Sequence, residues 1–597
     1  MRVEIYFMCS NVSSSSFIPG VEICISNSID EEELVEIWMA FSVSHLRGAD
    51  PTLDTLVQME RKEFGKKQEQ QSQPQQQPSR SQENTLVIYL GKDSATSAYP
   101  FCPDLGDDIL EAYNSTPKAK VVWVIVALFH YLDILSKLGK KGEAYPIQEN
   151  LLKLNGKSLK YPFNLFDSAT PSSKYRTRTN KGDAVCVFGE AQTTSWYSQN
   201  NTFKVHVQLP PSHLKSDACY MFAQLREVVQ TLSEVIHHLS EEMISKFSLE
   251  ELQPINIPCQ SQFAGAGRIC CDSNGRLNAK SLTLECAEGK TVQLDVSQVE
   301  SYSLFPGQVV VVEGDNPMGN RLSAKQIHCD ASLPLPPKPS LSTKETGPIQ
   351  IVIAAGPFTQ SDNMTFQPLE DLVEYIVDHK PHLVILTGPF IDASHPVVVQ
   401  GMLAETYSSF FEKIIDGIME PLKKLNTHVV VIPSFRDVHH HSVYPVPPFM
   451  LRKHYTNLTL APDPCILNVD GLVIGATSTD ILFHLGKEEI SQVRPGSDRL
   501  GRLASHILSQ QAFYPLYPPV EEINIDMELW AKYGRLDVTP HILILPSDLR
   551  CFIKNLNGCI VVNPERLAKG LIGGNFARLQ VSCIGEEVSV NGQIVKI

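Results

Sequence analysis

Residues 433–449, PSFRDVHHHSVYPVPPF, set an arginine, an aspartate and three consecutive histidines directly after the apolar run His428–Ile432. Imidazole nitrogens and carboxylates at the end of a strand are the donor set of a metal-dependent hydrolase. Such an enzyme holds ions with His and Asp and makes a hydroxide nucleophile from bound water. The same residues also have structural readings. His439 and His440 can be packed histidines with satisfied nitrogens, contacts to a partner, or metal ligands. That is their order of preference, because adjacent histidines rarely converge on one ion. Arg436 and Asp437 form either an ion pair that pins the loop or a solvated pair worth little. The apolar, proline-rich surroundings favour the pin. The aromatic and proline stretches 444–449 and 514–519 are either interface anchors or plugs of the fold.

The elements that must position these residues are legible downstream of residue 348. Apolar runs at 349–355, 382–388, 428–434, 472–478, 541–547 and 559–564 alternate with helical segments at 369–379, 408–425 and 498–510. Continuous Val/Ile/Leu runs mean strands buried on both faces, hence an α/β layered domain with function gathered at the strand ends. A two-metal phosphoesterase of the calcineurin-like type presents Asp-x-His after its first strand, Gly-Asp-x-x-Asp after its second and Gly-Asn-His-Asp/Glu after its third. Here the first end carries Gly356-Pro357. The second carries Gly388-Pro389, with Pro389 where the bridging aspartate belongs and only Asp392 at the outer acidic position. The third carries Arg436 and Asp437, and Asp548 stands where a later His-x-His would be. Loss of the bridging carboxylate removes a two-metal site, and an arginine within it repels cations.

Upstream, Phe263 to Asp330 reads as short strands separated by glycine turns, the pattern of a five-stranded OB barrel. The window 261–330 holds six Lys/Arg against eight Asp/Glu and three aromatics, which favours a protein-binding or structural barrel over a single-strand binder. Residues 30–67 read as helical, followed by a Gln/Pro/Ser tract too poor in apolar residues to fold. Thr116-Pro117 and Thr170-Pro171 are candidate proline-directed phosphorylation sites. The apolar run 121–135 contains His130 and Asp133 and is short for a membrane span, so it reads as a buried helix. The chain has 597 residues and a formal net charge of −15, which opposes a main role in gripping phosphates. Its 14 cysteines show no zinc-ribbon spacing and read as free thiols.

The stretches FDSATPSSKYRTRTNKGD, FGEAQTTSW, YSLFPGQVVVVEG, LTGPFIDASH, GATSTDILFHLGKEEIS, ILSQQAFYPLYPP and VVNPERLAKGLIGGNFARL, with the opening motif, resemble the B-subunit family of DNA polymerase alpha. The resemblance covers roughly 160–597 and, more loosely, 30–67; residues 1–29 and 86–160 lie outside it, apart from 109–120. It implies a multidomain α/β and β chain. That chain comprises a small helical unit at 1–67, a largely disordered linker at 68–180 and a connecting segment with helices at 181–255. An OB barrel follows at 256–335, then a calcineurin-like phosphoesterase domain stripped of metal ligands at 345–597. It further implies a noncatalytic, nuclear member of the polymerase–primase complex that needs no cofactor. A protein of this family holds the C-terminal domain of the catalytic subunit, sits with the primase subunits, and meets other replisome proteins through its N-terminal unit, with little direct DNA binding and no membrane. An active metal-dependent phosphoesterase and an OB-type single-stranded DNA binder are the alternatives.

Overall fold

The computed structural model describes residues 173–597, apart from 192–194, 199–202, 250, 274, 340–346 and 585–586. The helical unit expected at 30–67, the tract after it, the apolar run 121–135, Thr116 and Thr170 lie outside the described residues.

Five strands, Cys259–Cys271, Leu282–Glu285, Thr291–Asp295, Val309–Asn316 and Arg321–His328, close into a barrel. The fifth strand lies between the third and the fourth, pairing parallel with the third and antiparallel with the fourth. Alternation along each strand sends Phe263, Ile269, Leu284, Val292, Leu294, Val310 and Leu322 inward to a common core. The barrel expected from the turn spacing is therefore present, with its closed order now fixed.

The largest domain is built on two sheets. In the first, Ile349–Ala355, Leu383–Thr387 and His428–Ile432 are parallel neighbours, and the antiparallel strands Asn575–Ile584 and Glu587–Lys596 extend it on one side. In the second, Leu472–Ala476, Ile542–Ile544 and Cys559–Asn563 are parallel, flanked by antiparallel Cys465–Val469 and Phe552–Leu556. Ile351, Ile353, Ile385, Val430 and Ile432 pack face to face against Leu467, Ile474, Ile542, Ile544 and Val562. Helices Gln367–His379 and Tyr407–Leu422 cover the outer face of the first sheet through Leu372, Ile376, Phe411, Ile414 and Ile418. Helices Ile481–Glu488, Arg499–Ser509 and Met527–Tyr533 cover the second through Leu485, Leu503, Ile507 and Trp530. Every residue of the three parallel strands of the first sheet is buried, which is why they read as unbroken apolar runs.

The barrel is locked onto this sandwich. Strand Tyr302–Leu304 pairs with Ile490–Gln492 of the large domain. The buried Gln510 side chain accepts from the Val309 amide at 2.8 Å and donates to the Val309 and Cys329 carbonyls, each at 3.1 Å. Gln511 donates to the Ala331 carbonyl at 2.6 Å. The stretch 514–519 lies along this seam: Tyr514 and Leu516 are buried, the Tyr517 amide donates to the Pro306 carbonyl, and Arg268 stacks over the Tyr517 ring. Residues 444–449 are likewise buried, so this stretch plugs the fold as Tyr514–Leu516 does, while Tyr517 and Pro519 are half-buried and Pro518 is exposed.

Gln510 serves as a surrogate backbone at the seam. Gln510→Ala leaves the Val309 N–H and C=O without partners, at a cost of roughly 2–4 kcal/mol. Urea unfolding of this variant is expected to show a lowered midpoint.

Candidate functional site

The register of the first sheet sets Ala355, Thr387 and Ile432 side by side. The loops that follow, carrying Gly356-Pro357, Gly388-Pro389 and 434–437, therefore emerge together. Both Gly-Pro bonds are cis.

Asp437 is the centre of this edge. It is 1% exposed, and its Oδ1 accepts from the amides of Phe390 at 2.6 Å and Ile391 at 3.0 Å, while Oδ2 accepts from Ser434 at 2.9 Å. One carboxylate thus fastens the second-strand loop to the third. Gly388 is what makes room for it, since a Cβ there would lie 2.5 Å from Asp437 Oδ2. A Cβ at Gly356 would run into the Pro389 carbonyl oxygen, so the first and second loops touch backbone to backbone. Burial pushes the Asp437 carboxyl up to about 7; the three amide donors oppose the rise, and nearby Asp392 adds to it.

Arg436 and Asp437 do not pair with each other, which corrects the ion pair expected between them. Arg436 reaches across to the Asp392 carboxylate and to Ser394 Oγ at 3.2 Å, while Asp437 turns inward to the amides. The pin exists, but it joins two loops distant in sequence. An antiparallel bridge between Asp392 and Asp437 and the bond from the Val438 amide to the Ile391 carbonyl complete the clasp.

The histidines divide. His440 Nε2 lies 2.7 Å from the Pro447 carbonyl, and burial lowers its pKa to about 4. His439 stacks parallel to Phe449 and packs on Phe411. Both its ring nitrogens are buried without a partner, and burial lowers its pKa to about 3. The expectation of packed histidines with satisfied nitrogens thus describes His440 and not His439, which behaves as an aromatic spacer.

The second sheet supplies the opposite side of the edge. Arg566, 3% exposed, donates from Nε to Asp548 Oδ1 at 3.0 Å and from Nη2 to Asp480 Oδ2 at 3.2 Å. Asp480 also accepts from the Asp548 amide at 2.7 Å and caps helix Ile481–Glu488 through the Phe483 amide. Against the upward push of burial, Arg566, aided by Arg436 and Lys569, holds the Asp548 carboxyl below its ordinary range. Asp463 is a further buried knot, accepting from the Thr477, Ser478 and Thr479 hydroxyls and the Ser478 amide. Sequence reasoning singled out neither Asp463, Asp480 nor Arg566. The position of Asp480 just before an apolar helix was an N-cap signal, whereas nothing local marks the other two.

Chemically, the edge answers each of its carboxylates internally: Asp392 with Arg436, Asp480 and Asp548 with Arg566, and Asp437 with backbone amides. Among the described residues, no three His, Cys, Asp or Glu side chains converge as a metal ion would require. What this arrangement does is hold loops.

Two variants test it. Asp437→Ala strands three amides and should cost about 3–5 kcal/mol, with Asp437→Asn roughly half of that. The folded pKa of Asp437 lies above that of an unfolded aspartate. Its contribution to stability is therefore fully present below about pH 4 and lost as pH rises through about 7. Asp437→Asn should flatten the pH–stability curve in that window. His439→Phe should instead stabilise by about 1 kcal/mol at pH 7, because it buries no unpaired nitrogen. The depressed His439 pKa makes its contribution present above about pH 6.5 and lost on acidification, so this variant should also lose less stability below that pH. Thermal melts across pH 4–8 read both effects.

Known families match three parts of the chain. The family of DNA polymerase alpha/epsilon B subunits matches residues 351–554. The OB domain of the DNA polymerase alpha B subunit matches 229–329, and the N-terminal region of the same B subunit matches 9–66. The chain is 40% identical over 431 residues to the DNA polymerase alpha B subunit of Rattus norvegicus, covering 70% of this chain and 71% of that one. It is 33% identical over 610 residues to the protein of that name from Drosophila melanogaster, covering 94% and 92%. To the Saccharomyces cerevisiae protein it is 28% identical over 437 residues, 61% of each.

Proposed function

The chain belongs to the B-subunit family of DNA polymerase alpha, and from that premise we propose that it is a noncatalytic accessory subunit of the polymerase alpha–primase complex. It acts by holding the C-terminal domain of the catalytic subunit, so that polymerase and primase stay tethered for the start of DNA synthesis in the nucleus. The N-terminal unit contacts other replisome proteins, and Thr116 and Thr170 are sites where phosphorylation would alter those contacts.

The observation that carries the noncatalytic part is the occupation of the strand-end edge by guanidinium groups. A calcineurin-like phosphoesterase domain, which the paired sheets with outer helices suit, works by two metal ions held between carboxylates and imidazoles. In this chain Arg436 and Arg566 sit against the acidic groups of that edge, Pro389 stands where the resemblance would put a bridging aspartate, and the Asp437 carboxylate is taken up by backbone amides. An edge whose carboxylates already meet guanidinium groups and backbone amides offers cations no open donor set and keeps its loops in place without them.

Rigidity supports the tethering part. A scaffold raises the effective concentration of what it holds only if its binding surfaces keep a fixed geometry. Barrel and sandwich share a strand pair, two buried glutamine bridges and a common apolar seam, which makes them one platform.

Co-expression of the full chain with a C-terminal fragment of the catalytic subunit tests this directly. The two are expected to co-elute on size exclusion as a 1:1 species. Separate elution at micromolar concentration would overturn the assignment.

A further inference from the structure

Between strand Ile490–Gln492 and helix Arg499–Ser509 the chain runs Arg494-Pro495-Gly496-Ser497. Pro at the second position and Gly at the third, with Gly496 at a φ of +82°, make this a type II turn. The Ser497 amide closes it by donating to the Arg494 carbonyl at 3.2 Å. Residues 494–499 are all exposed. A turn closed by one such bond opens to an extended strand at small cost. An arginine three residues before a serine, in an exposed stretch that can extend, is what Arg-directed protein kinases bind. The guanidinium pairs with carboxylates of the kinase cleft and so fixes the register. Arg502 and Ser505 have the same spacing, but Ser505 lies inside helix Arg499–Ser509, half-buried, its hydroxyl donating to the Gly501 carbonyl at 2.9 Å. Spacing does not separate the two serines; the fold does.

The surroundings of Ser497 give a phosphate something to act on. Its Oγ accepts from Arg502 Nη1 at 3.1 Å. The same guanidinium grips Glu489 through Nε at 2.8 Å and Nη2 at 3.0 Å. The Glu489 side chain is only 3% exposed; it also accepts from the Ser303 hydroxyl of the barrel and lies 3.3 Å from His506 Nε2. Burial opposes its ionisation, but His506, Arg502 and Ser303 together hold the carboxyl down to about 2. Glu489 directly precedes Ile490–Gln492, the strand whose pairing with Tyr302–Leu304 joins the sandwich to the barrel. A chain of three contacts thus leads from an exposed hydroxyl to the seam: Ser497 to Arg502, Arg502 to Glu489, Glu489 to Ser303.

We propose that Ser497 is a phosphorylation site for an Arg-directed serine kinase, and that its phosphate draws Arg502 off Glu489 and loosens the barrel seam. In the transfer, Ser497 Oγ attacks the γ-phosphorus of ATP. The Oγ–P bond forms as the P–O bond to the leaving ADP breaks, and the hydroxyl proton passes to the kinase's catalytic base. Phosphoserine carries about −1.5 to −2 charge and three acceptor oxygens, so it outcompetes one carboxylate for a guanidinium already in contact. Its place just before Asp498, the N-cap of helix Arg499–Ser509, favours a dianion through the helix dipole, while Lys554 answers the Asp498 carboxylate. Glu489 is left buried with less compensation, and that is costly. Ser497 differs in kind from Thr116 and Thr170, since an arginine and not a proline marks it.

The test incubates purified full-length chain with Mg·ATP and the catalytic subunit of cAMP-dependent protein kinase, an Arg-directed enzyme, and maps phosphate by mass spectrometry. Ser497 should be modified, and at least about tenfold more slowly in Arg494→Ala, which removes the recognition group from an exposed position. Absence of phosphate on Ser497, or an unchanged rate in Arg494→Ala, overturns the site. Hydrogen exchange then reads the seam. Amides of 302–304 and 490–492 should exchange at least about threefold faster after phosphorylation, as loss of a charge-assisted pair implies, and not in kinase-treated Ser497→Ala. Unchanged exchange in the phosphorylated wild type, or an equal change in Ser497→Ala, overturns the coupling.

Discussion

One buried carboxylate organises the strand-end edge on which the large domain turns. Asp437 gathers amides from two loops that leave neighbouring parallel strands, and no other group of its size could satisfy all three donors at once. Burying that carboxylate is costly, and it is tolerated only because the amides are fixed by the strands beneath them. The requirement propagates outward. Gly388 must lack a side chain, Pro389 must press against Gly356, and Arg436 must turn away to neutralise Asp392.

The same logic governs the other half of the edge. Arg566 is almost wholly buried, so it persists only with both Asp480 and Asp548 in place. Two guanidinium groups thus face three of the edge's carboxylates, with permanent charge and no exchange. The barrel seam obeys a parallel rule, with glutamine amides closing hydrogen bonds that would otherwise be stranded between domains.

Much of this was legible in the residues. The three strands of the first sheet were readable because burial on both faces writes an uninterrupted apolar run, and the barrel because alternation and glycine turns recur at short intervals. The three-residue strand Ile542–Ile544 lies in a readable run, whereas Leu458–Leu460 carries no such pattern and the alternation of Asn575–Ile584 and Glu587–Lys596, with Leu579, Val581, Val588 and Val590 as its apolar positions, went unread. What gives those strands their place is pairing with distant neighbours. The partners of Arg436, Gln510 and Arg566 were not legible, because each contact spans tens to hundreds of residues and depends on register, which local sequence does not encode.

The proposed noncatalytic role rests on a strand-end edge whose carboxylates are answered by the chain's own guanidinium groups and amides. Elemental analysis of the purified full-length chain after incubation with Mn²⁺ and Zn²⁺ and desalting, paired with a phosphodiester hydrolysis assay, examines it most directly. Well under one equivalent of metal per chain and hydrolysis at the buffer rate are expected. Two equivalents of retained metal together with metal-dependent turnover would contradict it.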